Sequence, residues 1–312
     1  MKKILKINFT DFWSDFNKKD NLFWNLLSQN YDLKLSDTPD ILFYSYFGRD
    51  FTKYKCVRVF FQGENFRPNF KECDYAFSFD YMPENKRNYR LPLYAFYDDV
   101  KKLTLPKDPE LIFQTKSKFC AFVVSNKYAT KRIKFFNKLS KYKKVDSGGR
   151  YLNNIGGPIK NKGQFISEYK FTIAFENSSY PGYTTEKIFE PMLVNSIPIY
   201  WGNPVVNKDF NTKSFINVHD FKNEDEVISK IIEIDNNDEL YKNMISEPFF
   251  KNNEVNDFVN ETNIETNLLE IVENLNNITP VGTLFKPTPF FIKSLKNKFI
   301  RVKSEIYYLV KI

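Results

Sequence analysis

The residues best suited to chemistry lie between Phe171 and Pro204, in the stretch FTIAFENSSYPGYTTEKIFEPMLVNSIPIYWGNP. Glu176, Asn177, Tyr183, Thr185, Glu186 and Lys187 crowd into a short polar segment between two apolar runs. A lysine in the first turn of a helix adds a point charge to N–H groups that already favour a phosphate. An arginine from a neighbouring element adds a bidentate fork. An acid in the same turn is repelled by phosphate and is better suited to accept hydrogen bonds from ribose hydroxyls. Glu186 and Lys187 therefore read as a nucleotide-binding pair, and equally well as ordinary solvated residues of a first helical turn.

The elements that must position this segment are legible around it. Phe171–Phe175 is a short apolar run of strand length, Pro181 and Gly182 mark a loop, and Thr184 or Thr185 can cap a helix through Ile188, Phe189, Met192 and Leu193. A second strand, Ile197–Trp201, precedes the Gly202–Pro204 turn. Strand, polar loop, helix and strand form a βαβ unit, which binds ligands where the first strand ends. Upstream, strands are predicted at Lys3–Phe9, Asp40–Phe47, Cys56–Phe61, Cys73–Asp80 and Arg90–Phe96, with a helix at Asn21–Gln29. Lys101–Lys118, with Pro106 and Pro109 and little apolar periodicity, reads as a boundary.

Beyond it come a strand at Phe119–Val124 ending in Ser125-Asn126, and a basic helix at Ala129–Lys141 with Arg132 near its start. A glycine-rich loop follows at Ser147–Gly157. After the βαβ unit a strand is predicted at Phe215–Val218, with helices at Glu224–Ile234, Asp238–Ile245 and Asn256–Leu275. Apolar strands alternating with helices predict parallel sheets covered on both faces. The expected architecture is α/β, with two domains facing across a cleft, residues 1–114 and 115–280, and a basic amphipathic tail over 281–312.

Other chemistries find little support. Glu64, in the polar loop after Cys56–Phe61, can act as a base at the ligand-binding edge of a sheet. By spacing alone it reads as a surface loop acid. Cys56, Cys73 and Cys120 are scattered and lack metal-ligand spacing, and the single histidine, His219, lies far from them. Zinc and a disulfide framework are not expected, and a reducing compartment is. Asp98-Asp99 does not form a D-x-D metal motif, and SGGR and IGGP lack the spacing of dinucleotide or Walker loops.

The formal charge of +8 is concentrated at one end. From Lys286 onward there are seven Lys or Arg against one acid, which leaves 39 basic against 37 acidic residues before it. A nearly neutral body does not indicate nucleic-acid binding. Phe291, Leu295, Phe299, Val302, Ile306 and Leu309 share one face of a helix over Phe290–Ile312, a face interrupted by Lys298. Basic amphipathic helices bind anionic membrane surfaces, although such a helix can also pack on the body. With no signal-peptide pattern and no run of about 20 apolar residues, the expected location is cytoplasmic, peripheral at the membrane.

The stretch FENSSYPGYTTEKIFEPMLVNSIPIYWGNP closely resembles the signature of the α-1,3/1,4-fucosyltransferases, glycosyltransferase family 10, and is most similar to the short bacterial members that build Lewis-type antigens on lipopolysaccharide. The resemblance extends through GENFRPNFKECDYAFSFDY, YRLPLY and FVVSNKYATKRIKFFNKL, in order, over roughly Val57 to Asp220. It implies a GT-B fold of two Rossmann-like domains. The second holds GDP-β-L-fucose, the first holds a galactosyl-N-acetylglucosamine glycan, and fucose moves to its 3-OH or 4-OH by inverting displacement.

By resemblance Glu64 is the general base, Arg132 and Lys187 hold the pyrophosphate, and Glu186 binds the ribose. Asn177 and Tyr183 line the donor pocket, and Ser125, Asn126, Lys160 and Lys162 fall in donor-side motifs. No cofactor and no divalent metal are implied. Tyr180-Pro181 departs from the more glycine-rich loop of bacterial relatives, and the heptads through which some of them dimerise are absent. A catalytically lapsed sugar- or nucleotide-binding module is the alternative. It has no need of a carboxylate at Glu64.

Overall fold

A computed structural model of the protein describes residues 2–284. The chain forms two compact units. Among the described residues, one takes 2–98 together with 257–284, and the other takes Asp99–Asn256. These limits depart from the expected 1–114 and 115–280, because the C-terminal helix joins the first unit. The tail lies outside the described residues except for its first turn, Val281–Leu284.

The first unit carries six parallel strands in the order β2-β1-β3-β4-β5-β6. They are β1 (Lys3–Thr10), β2 (Tyr31–Leu35), β3 (Ile41–Tyr44), β4 (Val57–Phe61), β5 (Tyr75–Ser78) and β6 (Asn88–Arg90), with α1 (Leu22–Ser28) between β1 and β2. Much of the phenylalanine content goes into its core. Phe23 stacks on Phe43 at 4.8 Å and Phe61 on Phe96 at 4.6 Å between ring centres. The predicted strand Arg90–Phe96 is not formed. Pro92, which has no N–H to pair, instead leads into a 3-10 turn at Leu93–Phe96.

The second unit begins with α2 (Pro109–Thr115), inside the stretch read as a boundary, where Asp108 caps the helix by accepting from Leu111 N at 3.1 Å. It continues with β7 (Lys118–Phe122), α3 (Thr130–Leu139), β8 (Val145–Ser147), α4 (Lys162–Ile166), β9 (Tyr169–Phe175), α5 (Glu186–Leu193), β10 (Ile197–Trp201) and β11 (Ile216–Asn217), then α6 (Glu224–Asp235) and α7 (Asp238–Ser246). The sheet is parallel in the order β11-β10-β9-β7-β8. One cluster packs Phe119, Phe122, Phe171, Ile173 and Ile199 with residues of α3, α6 and α7, and a second packs Ala121 and Tyr169 with Ile166 of α4.

Connections leave β7 toward β8 and β9 toward β10, in opposite directions along this sheet. The switch point between β7 and β9 is where such folds hold ligands. In the first unit, α8 (Glu261–Glu273) is capped by Asn260 and buries Ile264, Leu268 and Ile271. It packs against α1 and is tied to the turn after α1 by the Asn30–Glu265 hydrogen bond of 2.6 Å. The short α9 (Val281–Leu284) follows, its Val281 N–H held by Asp74 at 2.8 Å.

One buried lysine ties the helices of the second unit to its sheet. Lys116, only 5% exposed, donates to Ser167 O and Val194 O, both at 2.6 Å, just beyond the ends of α4 and α5. Burial lowers its ammonium to about 8. The folded chain thus holds this proton less tightly than the unfolded chain, so stability through Lys116 rises as pH climbs from about 8 toward 10.5 and is lost as pH falls through about 8. Urea unfolding of wild type and Lys116→Met at pH 7.5 and 9.5 should show the wild-type advantage widening by about 1–2 kcal/mol at the higher pH. An advantage that does not change with pH would contradict this.

Candidate active site

At the switch point of the second unit, the end of β9 delivers three consecutive residues, Phe175, Glu176 and Asn177, toward the heads of α3 and α5. The Glu176 side chain is fully buried. Its Oε1 accepts from Thr185 N at 2.8 Å, and its two oxygens lie 2.9 and 2.7 Å from Thr185 Oγ1. Thr185 is the N-cap of α5, its Oγ1 accepting from Lys187 N at 3.4 Å. The Lys187 ammonium sits among three acceptors: Glu186 Oε1 at 2.9 Å, Thr185 Oγ1 at 3.0 Å and Glu176 Oε2 at 3.3 Å. Two N–H groups at the helix head, those of Thr185 and Lys187, are therefore engaged by the chain's own side chains.

Arg132, near the start of α3 and 7% exposed, donates through Nη2 to Phe175 O and, at 3.1 Å, to Asn177 Oδ1. Its two partners flank Glu176 in sequence. One strand end thus holds both cations, with the carboxylate between them.

The charges in this cluster compensate one another. Burial pulls the Lys187 ammonium down, but Glu176 and Glu186 together outweigh it and hold the group above the ordinary lysine value. Burial pushes the Glu176 carboxyl up, against the pull of Lys187. For Glu186 burial acts the same way, but Lys187 and Lys162 prevail and its carboxyl lies below the usual range. Burial lowers the Arg132 guanidinium despite the nearby Glu176. At neutral pH the cluster presents cations held ready by acids, a suitable arrangement for a polyanion that displaces one of those acids.

A second network fixes the loop leading into α5. Asn203, with no exposed surface, accepts from Gly182 N at 2.8 Å and Val205 N at 3.0 Å, and donates to Thr184 Oγ1 at 3.0 Å and Asp209 Oδ2 at 3.1 Å. Thr184 Oγ1 in turn donates to Asp209 Oδ2 at 2.6 Å. Gly202 is required beside it, since a Cβ there would lie 2.3 Å from Glu176 Cγ and 2.7 Å from Glu176 Cβ.

The structure brings Arg132, Asn177, Thr185, Glu186 and Lys187 together. Tyr183 is buried, its backbone tied to Tyr180 O at 3.0 Å. Ser125 and Asn126 are exposed at the end of β7, where Asn126 Oδ1 accepts from Tyr128 N at 2.9 Å. Lys162, at the start of α4, pairs with Glu190 of α5, whereas Lys160 is exposed on the preceding loop. Glu64 belongs to the other unit. It is exposed on the loop after β4, a loop braced by Arg67, which donates to Asn65 Oδ1 at 3.1 Å and forms an ion pair with Asp80 Oδ2 at 3.1 Å. Sequence reasoning gave Glu176 no role of its own, offered Thr184 only as an alternative cap to Thr185, and missed Asn203 and Asp209. The available signals were a carboxylate directly after an apolar strand and a Gly-Asn pair directly after the next one. The ring of His219 lies 21° from parallel with Trp201 and its Nε2 is 3.2 Å from Gly202 O. Among the described residues no three His, Cys, Asp or Glu side chains converge as metal ligands, and no helix is long and apolar enough to cross a membrane.

Comparison with known proteins shows the family. Residues 7–97 match the α-(1,3)-fucosyltransferase FucT N-terminal domain, and residues 113–279 match the C-terminal domain of glycosyltransferase family 10 (fucosyltransferase). The chain belongs to glycosyltransferase family 10. It is 37% identical to the α-(1,3)-fucosyltransferase FucT of Helicobacter pylori over 78% of this chain and 60% of that protein. It is 43% identical to a putative fucosyltransferase of Acanthamoeba polyphaga mimivirus over 44% of this chain and 25% of that one. The chain thus spans about 60% of the length of the first of these relatives and a quarter of the second. A solved structure of an α1,3-fucosyltransferase with GDP-fucose superposes with a TM-score of 0.73 at 30% identity, covering 90% of this chain and 93% of that one. The fold is GT-B, with two Rossmann-like units.

The Asn203 network is testable within this family site. Asn203→Ala removes the acceptor of two N–H groups and frees the loop before α5. It should cost at least about 2 kcal/mol in urea unfolding and weaken GDP binding by calorimetry. An unchanged unfolding midpoint would contradict the structural role.

Proposed function

We propose that the protein transfers L-fucose from GDP-β-L-fucose to the 3-OH or 4-OH of N-acetylglucosamine in an N-acetyllactosamine-type glycan, making Lewis-type structures. The observation that carries this reading is the pairing of Arg132 and Lys187 on one strand end, with Glu186 beside them. A similar protein of known structure was solved with GDP-fucose, which supports GDP-fucose as the donor.

In this reading Arg132 and Lys187 bind the pyrophosphate, and Glu186 leaves Lys187 to accept hydrogen bonds from the ribose hydroxyls. Asn177, Tyr183, Thr185, Ser125 and Asn126 shape the donor side, and Lys160 and Lys162 add positive charge near it. The acceptor oxygen attacks the anomeric carbon as the carbon–oxygen bond to the β-phosphate breaks, inverting that centre. The hydroxyl proton passes to Glu64, and GDP leaves with a charge that the two preorganised cations stabilise. These protein cations take the place that a divalent ion fills at sites lacking them, so activity should persist in EDTA.

Assays with GDP-fucose and N-acetyllactosamine or lacto-N-biose test the reading. Wild type should release GDP and form the fucosylated product. Glu64→Gln should lower kcat by about 100-fold or more while GDP affinity stays as in wild type. Turnover at the wild-type rate would remove Glu64 as base. GDP binding without transfer to either acceptor would favour a lapsed binding module.

The basic tail supports a peripheral position at the cytoplasmic membrane leaflet, near lipid-linked lipopolysaccharide precursors. Deleting Lys286–Ile312 should move the protein from the membrane fraction to the soluble fraction while sparing turnover of soluble acceptors. Unchanged fractionation would count against this placement.

A further inference from the structure

We infer that Glu176 is a positioning residue for the donor: its buried carboxylate occupies the anion position at the head of α5 and fixes Lys187 so that the diphosphate is held by side chains farther out. This deepens the GDP-sugar reading of the site and rests on it. Three observations lead to it.

The first is occupancy. A helix head ordinarily offers its N–H groups to a bound anion. Here the Thr185 N–H at 2.8 Å and the Thr185 hydroxyl at 2.9 and 2.7 Å already serve the Glu176 carboxylate. An incoming phosphate meets the ammonium of Lys187 instead.

The second is the difference between the two acids on Lys187. The Lys187 ammonium donates to Thr185 Oγ1 and Glu186 Oε1 and pairs with Glu176 Oε2 at 3.3 Å, so a phosphate oxygen that reaches it competes with these groups. Glu186 has 24% of its side chain exposed and can swing away, whereas the Glu176 side chain has none exposed. Glu176 is pinned from behind by its own N–H to Trp201 O at 2.7 Å and by the bare Cα of Gly202. Displacing Glu186 leaves Lys187 with two fixed anchors, Glu176 and Thr185, and one free donor. The direction of that donor is then set by Glu176.

The third is the shared bracket. Arg132 is fixed by Phe175 O and Asn177 Oδ1, and Lys187 by Glu176 between them. Three consecutive residues of one strand end therefore set the spacing of both cations. A rigid strand end holds such geometry better than two independent side chains, and spacing matters where charge develops on a leaving group. Glu176 also offsets the cost of burying Lys187 while no nucleotide is bound.

A double-mutant cycle between Glu176→Gln and Lys187→Ala, read by GDP affinity, tests this. The glutamine retains an acceptor for Thr185 but turns an amide toward Lys187. Glu176→Gln should weaken GDP at least tenfold in the wild-type background and less than twofold in the Lys187→Ala background. Glu176→Asp keeps the charge one methylene shorter and should recover part of the affinity. It also serves as the second variant should the glutamine protein not fold. An equal loss in both backgrounds would assign Glu176 to folding alone and overturn the inference, as would no loss in wild type. Wild type that binds GDP but transfers no fucose would overturn the transfer reading and leave the measured coupling to decide this one.

Discussion

A carboxylate buried at the end of a strand must find partners or become neutral, and the second unit is arranged around that requirement. Glu176 has no exposed side-chain surface, and its partners are the cap and the first-turn lysine of α5. Burial of an unpaired carboxylate costs several kcal/mol, and pairing recovers it only when geometry is good and the remaining lone pairs are used. Those conditions are met by one hydroxyl, one amide and one ammonium. In meeting them, the chain brings a lysine and, through the flanking Phe175 and Asn177, an arginine to a single point. The contacts that solve the stability problem are the ones proposed to bind the anion.

Topology explains why this point suits a ligand. In a parallel sheet ordered β11-β10-β9-β7-β8, chain connections diverge after β7 and β9 and leave a crevice at their carboxyl ends. α3 starts beside one strand and α5 after the other, so Arg132 and Lys187 meet there although 55 positions separate them in the chain. The Asn203 network then makes the loop before α5 part of the scaffold. Its buried hydrogen bonds link Gly182, Thr184, Val205 and Asp209. A site built on strand ends and a locked loop loses little entropy when nucleotide binds.

The βαβ unit around Phe171–Pro204 was legible because its apolar runs, its threonine cap and its turn residues agree with one another. Elements with weaker patterns were not. β2 buries only Leu33 among its five residues, so it carries almost no periodic signal. α2 lies in a stretch whose prolines suggested a boundary, yet Pro109 at a first helical position favours a helix. The apolar face of α8 was readable, but a face does not say which element it packs against, and α8 joins α1 of the first unit. Within the site, Lys187 and Glu186 were readable as a pair. The role of Glu176 was not, because it depends on Thr185 and Gly202, brought near by folding. Glu64 stood out only through resemblance to family 10, since an exposed loop acid has no local signature of a base.

The central claim is that the head of α5 and the end of β9 form a diphosphate site in which Glu186 yields and Glu176 does not. A crystal structure of the protein with GDP tests it most directly. The account predicts the β-phosphate within hydrogen-bond distance of Lys187 Nζ and of Arg132, the Glu186 carboxylate turned to the ribose, and the Glu176–Thr185 contacts intact. A diphosphate bound away from Lys187, or a Glu186–Lys187 pair still closed beside it, would contradict the account.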